Sequence, residues 1–357
     1  MDVEWLSSDF TYEKIILAGD IGGTNTTLAL VGQNKNKYTI ILKCAFKSYE
    51  INGVIEPVKK VLSTAREKRP GLKIDLCCMS AAGPVNNNYC QPTNCNWAVD
   101  GNEIEKETGI KTLVINDFLA IGYGIPTLDV NDTEQITKLP CTDGSFPEPA
   151  AGATKAVAGA GTGLGVGILT FSEDRYIAHP SEGGHSGFAA FDKETMELKS
   201  YLAAKFGISP GTEPFVSGQG ISNIFNFLKE KKGLKIEGIL KEIDEKEDMD
   251  KPALISKNAG NNDICKSIMQ LFIRMYGRFA SSISLILLPF SGIYLAGGIA
   301  TKNEKLFLED HLFMKNFEIN YNPNIRPLLK KIPVYIIKDY SISLYGSANA
   351  AVTLSRR

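Results

Sequence analysis

Leu17-Ala18-Gly19-Asp20-Ile21-Gly22-Gly23-Thr24-Asn25 decides how this chain is read. An apolar run, residues 15–18, enters it, and a second apolar, β-prone run, residues 27–31, leaves it. The simplest reading is two strands joined by a glycine-rich turn. Consecutive glycines let a backbone approach a ligand closely and aim its N–H groups at an anion; Thr24 and Asn25 add side-chain donors. Asp20 repels a phosphate, but it can hold Mg²⁺, directly or through water, and the metal then bridges to the phosphates. About 140 residues later the layout recurs: residues 155–158 lead into Gly159-Ala160-Gly161-Thr162-Gly163-Leu164-Gly165, then residues 166–171. Two halves that each open with a glycine-turned hairpin predict a duplicated fold with a cleft between the halves.

Outward from these turns the chain mixes strands and helices, as an α/β protein should. Residues 38–44, 74–79 and 113–115 read as strands, and residues 57–69 as a helix. Residues 263–288 carry Ile264, Ile268, Leu271, Phe272 and Met275 at helical spacing. Residues 292–298 read as a strand running into Gly297-Gly298, residues 333–337 as a late strand, and residues 343–353 as a close-packed helix. The Pro-, Thr- and Gly-rich stretch 129–153 reads as a surface excursion. Residues 228–251, dense in Lys and Glu of alternating sign, read as a solvated amphipathic helix.

Composition narrows the function. The 357 residues are enough for two domains, and 43% hydrophobic with 22% charged is ordinary for a globular protein. Thirty-nine Lys+Arg against 40 Asp+Glu leave a net charge of −1, which gives no field for nucleic acid or anionic lipid. Any phosphate must be held by local devices. The 7 cysteines are odd in number and sparse, with no Cys-x-x-Cys, and read as reduced thiols of a cytoplasmic protein. Residues 1–14 lack the apolar core of a signal peptide, and Pro289, Gly292, Gly297 and Gly298 break the most apolar stretch, so no membrane segment is expected.

Further residues carry chemical meaning. Gly159–Gly165 does not fit Gly-x-Gly-x-x-Gly, and no Gly-Lys dipeptide exists in the chain, which removes the dinucleotide-binding and Walker A readings. Asn116-Asp117 closes a strand, where α/β proteins place ligands; Asp117 reads either as a proton acceptor oriented by Asn116 or as the cap of a following helix. Ser181-Glu182-Gly183-Gly184-His185 sets a carboxylate and an imidazole around two glycines, as a grip on a polar ligand or as a satisfied loop; a metal site there lacks further ligands. Glu213 and Ser217-Gly218-Gln219-Gly220 supply another carboxylate and another helix-capping turn.

Taken together, these motifs resemble the bacterial-type glucokinases, members of the hexokinase group with the two-domain actin-like ATPase (ribonuclease H-like) α/β fold. The likeness runs over residues 15–351. Residues 17–25 resemble the first phosphate loop of that family and residues 159–165 its second, which makes Gly19, Asp20, Ile21, Gly22, Gly23, Thr24, Asn25, Gly159, Gly161, Thr162 and Gly163 the expected nucleotide contacts. Gly297 and Gly298, in Leu295-Ala296-Gly297-Gly298-Ile299, resemble the adenosine-side motif. Ala82-Gly83-Pro84-Val85 and Thr93-Asn94-x-x-Trp97 are similar to the sugar-side loop. Ile115-Asn116-Asp117-Phe118 matches the segment that holds the catalytic Asp, and Asn94, Asn116, Asp117, Glu182, His185 and Glu213 are the sugar contacts the resemblance implies.

The resemblance implies ATP-dependent phosphorylation of glucose at its 6-hydroxyl, with ATP and Mg²⁺ as cofactors, Asp117 as base, Asp20 on the metal, and a cytoplasmic homodimer without nucleic-acid or membrane partners. A kinase for mannose, fructose or an N-acetylhexosamine is the alternative. It also implies a smaller domain of residues 1–122 plus 340–357, a larger one of residues 123–339, and hinges around residues 117–126 and 338–343. The chain departs from the family at Ser186-Gly187, at Gln219, in the length of its charged stretch 228–262 and in its polar N-terminal dozen. A neighbouring sugar-kinase family carries a cysteine-rich zinc loop after its Glu-x-Gly-His motif; here no Cys lies between Cys141 and Cys265.

Overall fold

The computed structural model describes residues 1–355. The chain divides into two compact units: Met1–Asp129, Phe171–His179 and the stretch from Asp339 onward form one, and Val130–Thr170 with Pro180–Lys338 form the other. The backbone therefore passes between units four times rather than the two expected. The additional pair arises from a hairpin of strands Leu164–Ser172 and Arg175–Ser181, whose tip belongs to the first unit although the sequence reading assigns it to the larger domain.

The sheet of the first unit runs, edge to edge, Asp2–Trp5, Lys37–Lys47, Asn25–Asn34, Lys14–Ile21, Leu76–Ala81, Thr112–Asn116. Lys14–Ile21 pairs antiparallel to Asn25–Asn34 and parallel to Leu76–Ala81. Its residues 15–19 are all buried, the continuous apolar run expected of a strand covered on both faces. The second sheet runs Ile136–Leu139, Val334–Ile337, Ile293–Ala296, Lys155–Ala160, Leu164–Ser172, Arg175–Ser181. Here too the opening strand, Lys155–Ala160, pairs antiparallel to the next strand and parallel to Ile293–Ala296. With one extra edge strand set aside in each sheet, both follow the order third, second, first, fourth, fifth. The duplication read from two hairpins is thus a duplication of a whole sheet, in the order of the actin-like ATPase fold.

Two local expectations need correction. Residues 129–153 are not all excursion, because Ile136–Leu139 adds an antiparallel edge strand against Val334–Ile337. Residues 228–251 are not one helix. Helix Gly218–Lys232 stops at Gly233, which takes φ +67°, and a new start follows at Ile239–Asp244, then at Lys251–Asn258 with Pro252 in its first turn. The long helix Asp263–Leu287 is as expected, capped by Asn262, which accepts from the Cys265 N–H at 3.0 Å; its apolar side fills the core of the second unit.

In the first unit, helix Asp117–Gly124 follows directly on strand Thr112–Asn116 and packs against helix Ile342–Leu354. The two approach closely because neither presents a side chain at the crossing: a Cβ on Gly346 would overlap the Ala120 carbonyl, and one on Gly124 would overlap Ile342. The obstacle at Gly346 is backbone, which cannot rotate away. Gly346→Ala is expected to destabilise the protein by about 1–3 kcal/mol through overpacking; a urea midpoint equal to that of the parent would refute this account of the crossing.

Candidate active site

Register brings the candidate residues of the first unit to one place. Asp20 lies opposite Ser80, and Ala81 opposite Asn116, at the C-terminal ends of three neighbouring parallel strands. This is where open α/β sheets bind ligands. Asp117 is the first residue of the helix that leaves the third strand, and its Oδ1 accepts from the Phe118 N–H at 2.9 Å. Asn116 is the N-cap: its Oδ1 accepts from Phe118 N–H and Leu119 N–H, and its Nδ2 donates to the Gly83 carbonyl at 3.0 Å. The helix cap is Asn116, not Asp117, which is half-buried.

Asp20 is also half-buried. Ser343, on the C-terminal helix, donates to its Oδ2 at 2.6 Å, and Ser80 to its Oδ1 at 3.5 Å. Burial raises the Asp20 carboxyl above its ordinary range, against these two hydrogen bonds. Burial likewise raises Asp117, and the charge of Asp20 adds to it, against the Phe118 hydrogen bond. Asp20 and Asp117, whose like charges interact, are the carboxylates here that could hold a Mg²⁺. A Mg²⁺ carried by nucleotide phosphates needs only one or two protein carboxylates.

The first glycine turn sits beside this pair. Gly22 N–H donates to the Asn25 carbonyl at 2.9 Å, while the Gly23 and Thr24 amides have no protein acceptor among the described residues. Ser48 braces the turn by donating to the Gly22 carbonyl at 2.6 Å. Asn94 is exposed and packs directly on Gly23, which has no room for a side chain there. The Asn94 loop is held by Thr93, which donates from both N–H and Oγ1 to the Ala82 carbonyl at 3.0 Å, and by Trp97, whose indole N–H reaches the Ser48 carbonyl at 3.2 Å. The turn and the loop thus form one braced rim.

In the second unit, the turn after Lys155–Ala160 and Gly297-Gly298 lie at the ends of adjacent parallel strands, since Gly159 pairs with Ala296. Gly297 takes φ +94° and presses on the Ala160 carbonyl, a place only glycine fills. The Thr162 and Gly163 amides have no protein acceptor among the described residues. Between these segments lies a pocket of about 260 Å³, lined by Gly161, Thr162, Gly218, Gln219, Gly298 and Asn303, with Met249, Pro252, Ala253 and Ser256 as a further wall. That wall comes from the charged stretch, to which the sequence reading gives no role. Ser256 Oγ donates to Asn303 Oδ1 at 2.8 Å, tying the wall to the other side. Beneath it, Lys251 donates to Asp248 Oδ1 at 2.7 Å and to Asn226 Oδ1 at 3.3 Å, anchoring the segment on helix Gly218–Lys232.

Glu182 and His185 occupy a short loop in this same unit and are both exposed, with His185 Nε2 3.7 Å from Glu182 Oε2. Glu213 is placed differently: its Oε2 accepts from the Leu164 N–H of the glycine turn at 2.8 Å. Asp20, Asn94, Asn116 and Asp117 with the first turn thus gather in one unit, and Glu182, His185 and Glu213 with the second turn and Gly297-Gly298 in the other. Ser80, Ser343, Ser256 and Asn303 escape the sequence reading. No local pattern marks Ser343, which meets Asp20 from 323 residues away.

Comparison with known proteins finds relatives over nearly the whole chain. The glucokinase family profile matches residues 17–354. The glucokinase of Nostoc sp. is 36% identical over 354 residues, 95% of this chain and 99% of that protein. A solved glucokinase from an Antarctic psychrotroph superposes with a TM-score of 0.79 at 25% identity, over 95% of this chain and 99% of that one. A ROK family glucokinase from Streptomyces griseus, solved with glucose and AMPPNP, shares the fold at a TM-score of 0.59 and 16% identity, covering 95% and 99% of the two chains. With its motifs in order over nearly its whole length, the chain belongs to the glucokinase family of sugar-phosphorylating enzymes.

Proposed function

We propose that this enzyme transfers the γ-phosphoryl group of ATP to the 6-hydroxyl of glucose, with Asp117 as the general base. The observation that carries the reading is Asp117 itself: a half-buried carboxylate at a strand end, raised above its ordinary range, beside Asp20 and an exposed-amide turn. The hydroxyl oxygen forms the new bond to the γ-phosphorus, the β–γ bridging bond breaks to leave ADP, and the hydroxyl proton passes to Asp117. A carboxylate raised by burial is the stronger base for it, and is better able to take a proton as the bond forms.

Asn94, Asn116, Glu182, His185 and Glu213 are assigned to the sugar hydroxyls. A sugar that lacks one hydroxyl leaves one of these groups unpaired, which is how such a site discriminates. The two glycine turns are assigned to the phosphates through their open amides, and the pocket at Gly298 and Asn303 to the adenosine. Asp20 would hold Mg²⁺, directly or through water, whose charge offsets that of the phosphates. Ser343 and Ser80 donate to Asp20, which favours its charged form and orients it. On this reading, which the family likeness supports, the protein works as a cytoplasmic homodimer.

Asp117→Asn keeps the shape and the Phe118 hydrogen bond and removes the base. Turnover is expected to fall by about 10²–10⁴-fold while glucose still binds; near-parental steady-state turnover overturns the role. His185→Ala is expected to weaken glucose binding with little change in nucleotide affinity, and unchanged glucose affinity by calorimetry would remove His185 from the site. A panel of glucose, mannose, fructose and N-acetylglucosamine in a coupled ADP-release assay should favour glucose. Preference for another member would establish the alternative hexose kinase.

The raised carboxyls also set a pH dependence of stability. Each binds its proton more tightly in the native state than in the unfolded chain. Stability is therefore lost as pH rises from the ordinary carboxylate range through the raised native value. Ligand-free Asp117→Asn should melt above the parent at pH 7, with the gap closing toward about pH 4. A variant that melts at or below the parent at pH 7 contradicts this.

A further inference from the structure

Glu213 is stitched to two elements at once. Its own N–H donates to the Gly184 carbonyl at 3.0 Å, and its neighbour Thr212 donates from N–H and Oγ1 to the Ser186 carbonyl at 2.8 and 2.9 Å. Gly211 and Gly187 add an antiparallel bridge. A Cβ on Gly184 would overlap the Leu164 carbonyl, and one on Gly211 would overlap the His185 carbonyl, so these backbones are in direct contact. The loop carrying Glu182 and His185 is thereby fixed to the Glu213 backbone. The Glu213 side chain reaches the other way: Oε2 accepts from Leu164 N–H at 2.8 Å, in the space a side chain on Gly163 would need. Ser217 donates to the Glu213 carbonyl at 2.7 Å, and the next residue, Gly218, donates its N–H to the Gly161 carbonyl at 2.7 Å.

We infer that Glu213 is a positioning residue that sets the second glycine turn. With the Leu164 amide turned inward to the carboxylate, the turn is closed from below, and the Thr162 and Gly163 amides remain open for an anion. Its Oε1 has no protein donor among the described residues and is left for a sugar hydroxyl. This last clause rests on the function proposed above. One residue then joins the acceptor loop, through its backbone, to the donor turn, through its side chain, within a single unit. A hydrogen bond from an amide to a carboxylate is of the stronger kind, and its loss corresponds to roughly tenfold or more in an equilibrium that depends on it.

The test is ADP affinity by calorimetry on the full chain without sugar. Glu213→Ala is expected to bind ADP at least about tenfold more weakly and to raise the KM for ATP more than it lowers kcat. Glu213→Gln still offers a carbonyl oxygen to Leu164 and should hold ADP within about threefold of the parent, while both variants lose glucose affinity. Parental ADP affinity in Glu213→Ala, or equal loss in both variants, overturns the inference. Should Glu213→Ala fail to fold, hydrogen exchange on the parent decides: slow exchange at Leu164 with fast exchange at Thr162 and Gly163 supports the role, and fast exchange at Leu164 overturns it. A parent that binds ADP but no sugar refutes the proposed function while leaving this role measurable.

Discussion

Two half-buried carboxylates, Asp20 and Asp117, held near one another at the ends of parallel strands, are the constraint around which the first unit is arranged. Left alone, such a pair is costly, because each loses water and each feels the other. The surrounding structure offsets part of this with small donors: Ser343 and Ser80 on Asp20, and the Phe118 amide on Asp117. What remains uncompensated is negative charge facing a rim of open amides. On the function proposed above, its partners are a divalent cation with its phosphates and a hydroxyl whose proton must leave.

The second unit solves a different problem with the same sheet order. Its glycine turn has no carboxylate on its opening strand; it is closed from below by Glu213 and continued on one side by Gly297-Gly298. The pocket wall from Met249 to Ser256 is held by the Lys251, Asp248 and Asn226 network and by Ile255, which is buried in the core of the second unit. A stretch rich in Lys and Glu can therefore shape a pocket, provided one of its lysines is turned inward and paired.

How much of this was legible in the sequence follows from the range of each interaction. The two hairpins, the strand ending in Asn116-Asp117 and the long helix Asp263–Leu287 are written in local periodicity and in glycine spacing, and each lies where it was expected. The stretch 228–251 misleads because its charge alternation suits a helix throughout, while Gly233 and Pro252 set separate ends and starts. Ile136–Leu139 is short and lies at an edge, so its strand character depends on Val334–Ile337, far along the chain. Ser343 on Asp20, Glu213 on Leu164 and Ser256 on Asn303 join residues that no window spans. The family likeness names Glu213 as a sugar contact but is silent on its bond to the turn.

The crossing of helices at Gly124 and Gly346 has a consequence for how the protein is made. The support for the helix that begins at Asp117 is translated more than 200 residues after that helix itself. A nascent chain therefore emerges from the ribosome with one sheet face of its leading unit bare until the distant helix arrives. The second unit is completed at almost the same moment, since its strand Val334–Ile337 is made just before that helix, and until then the unfinished face is a natural client for a chaperone.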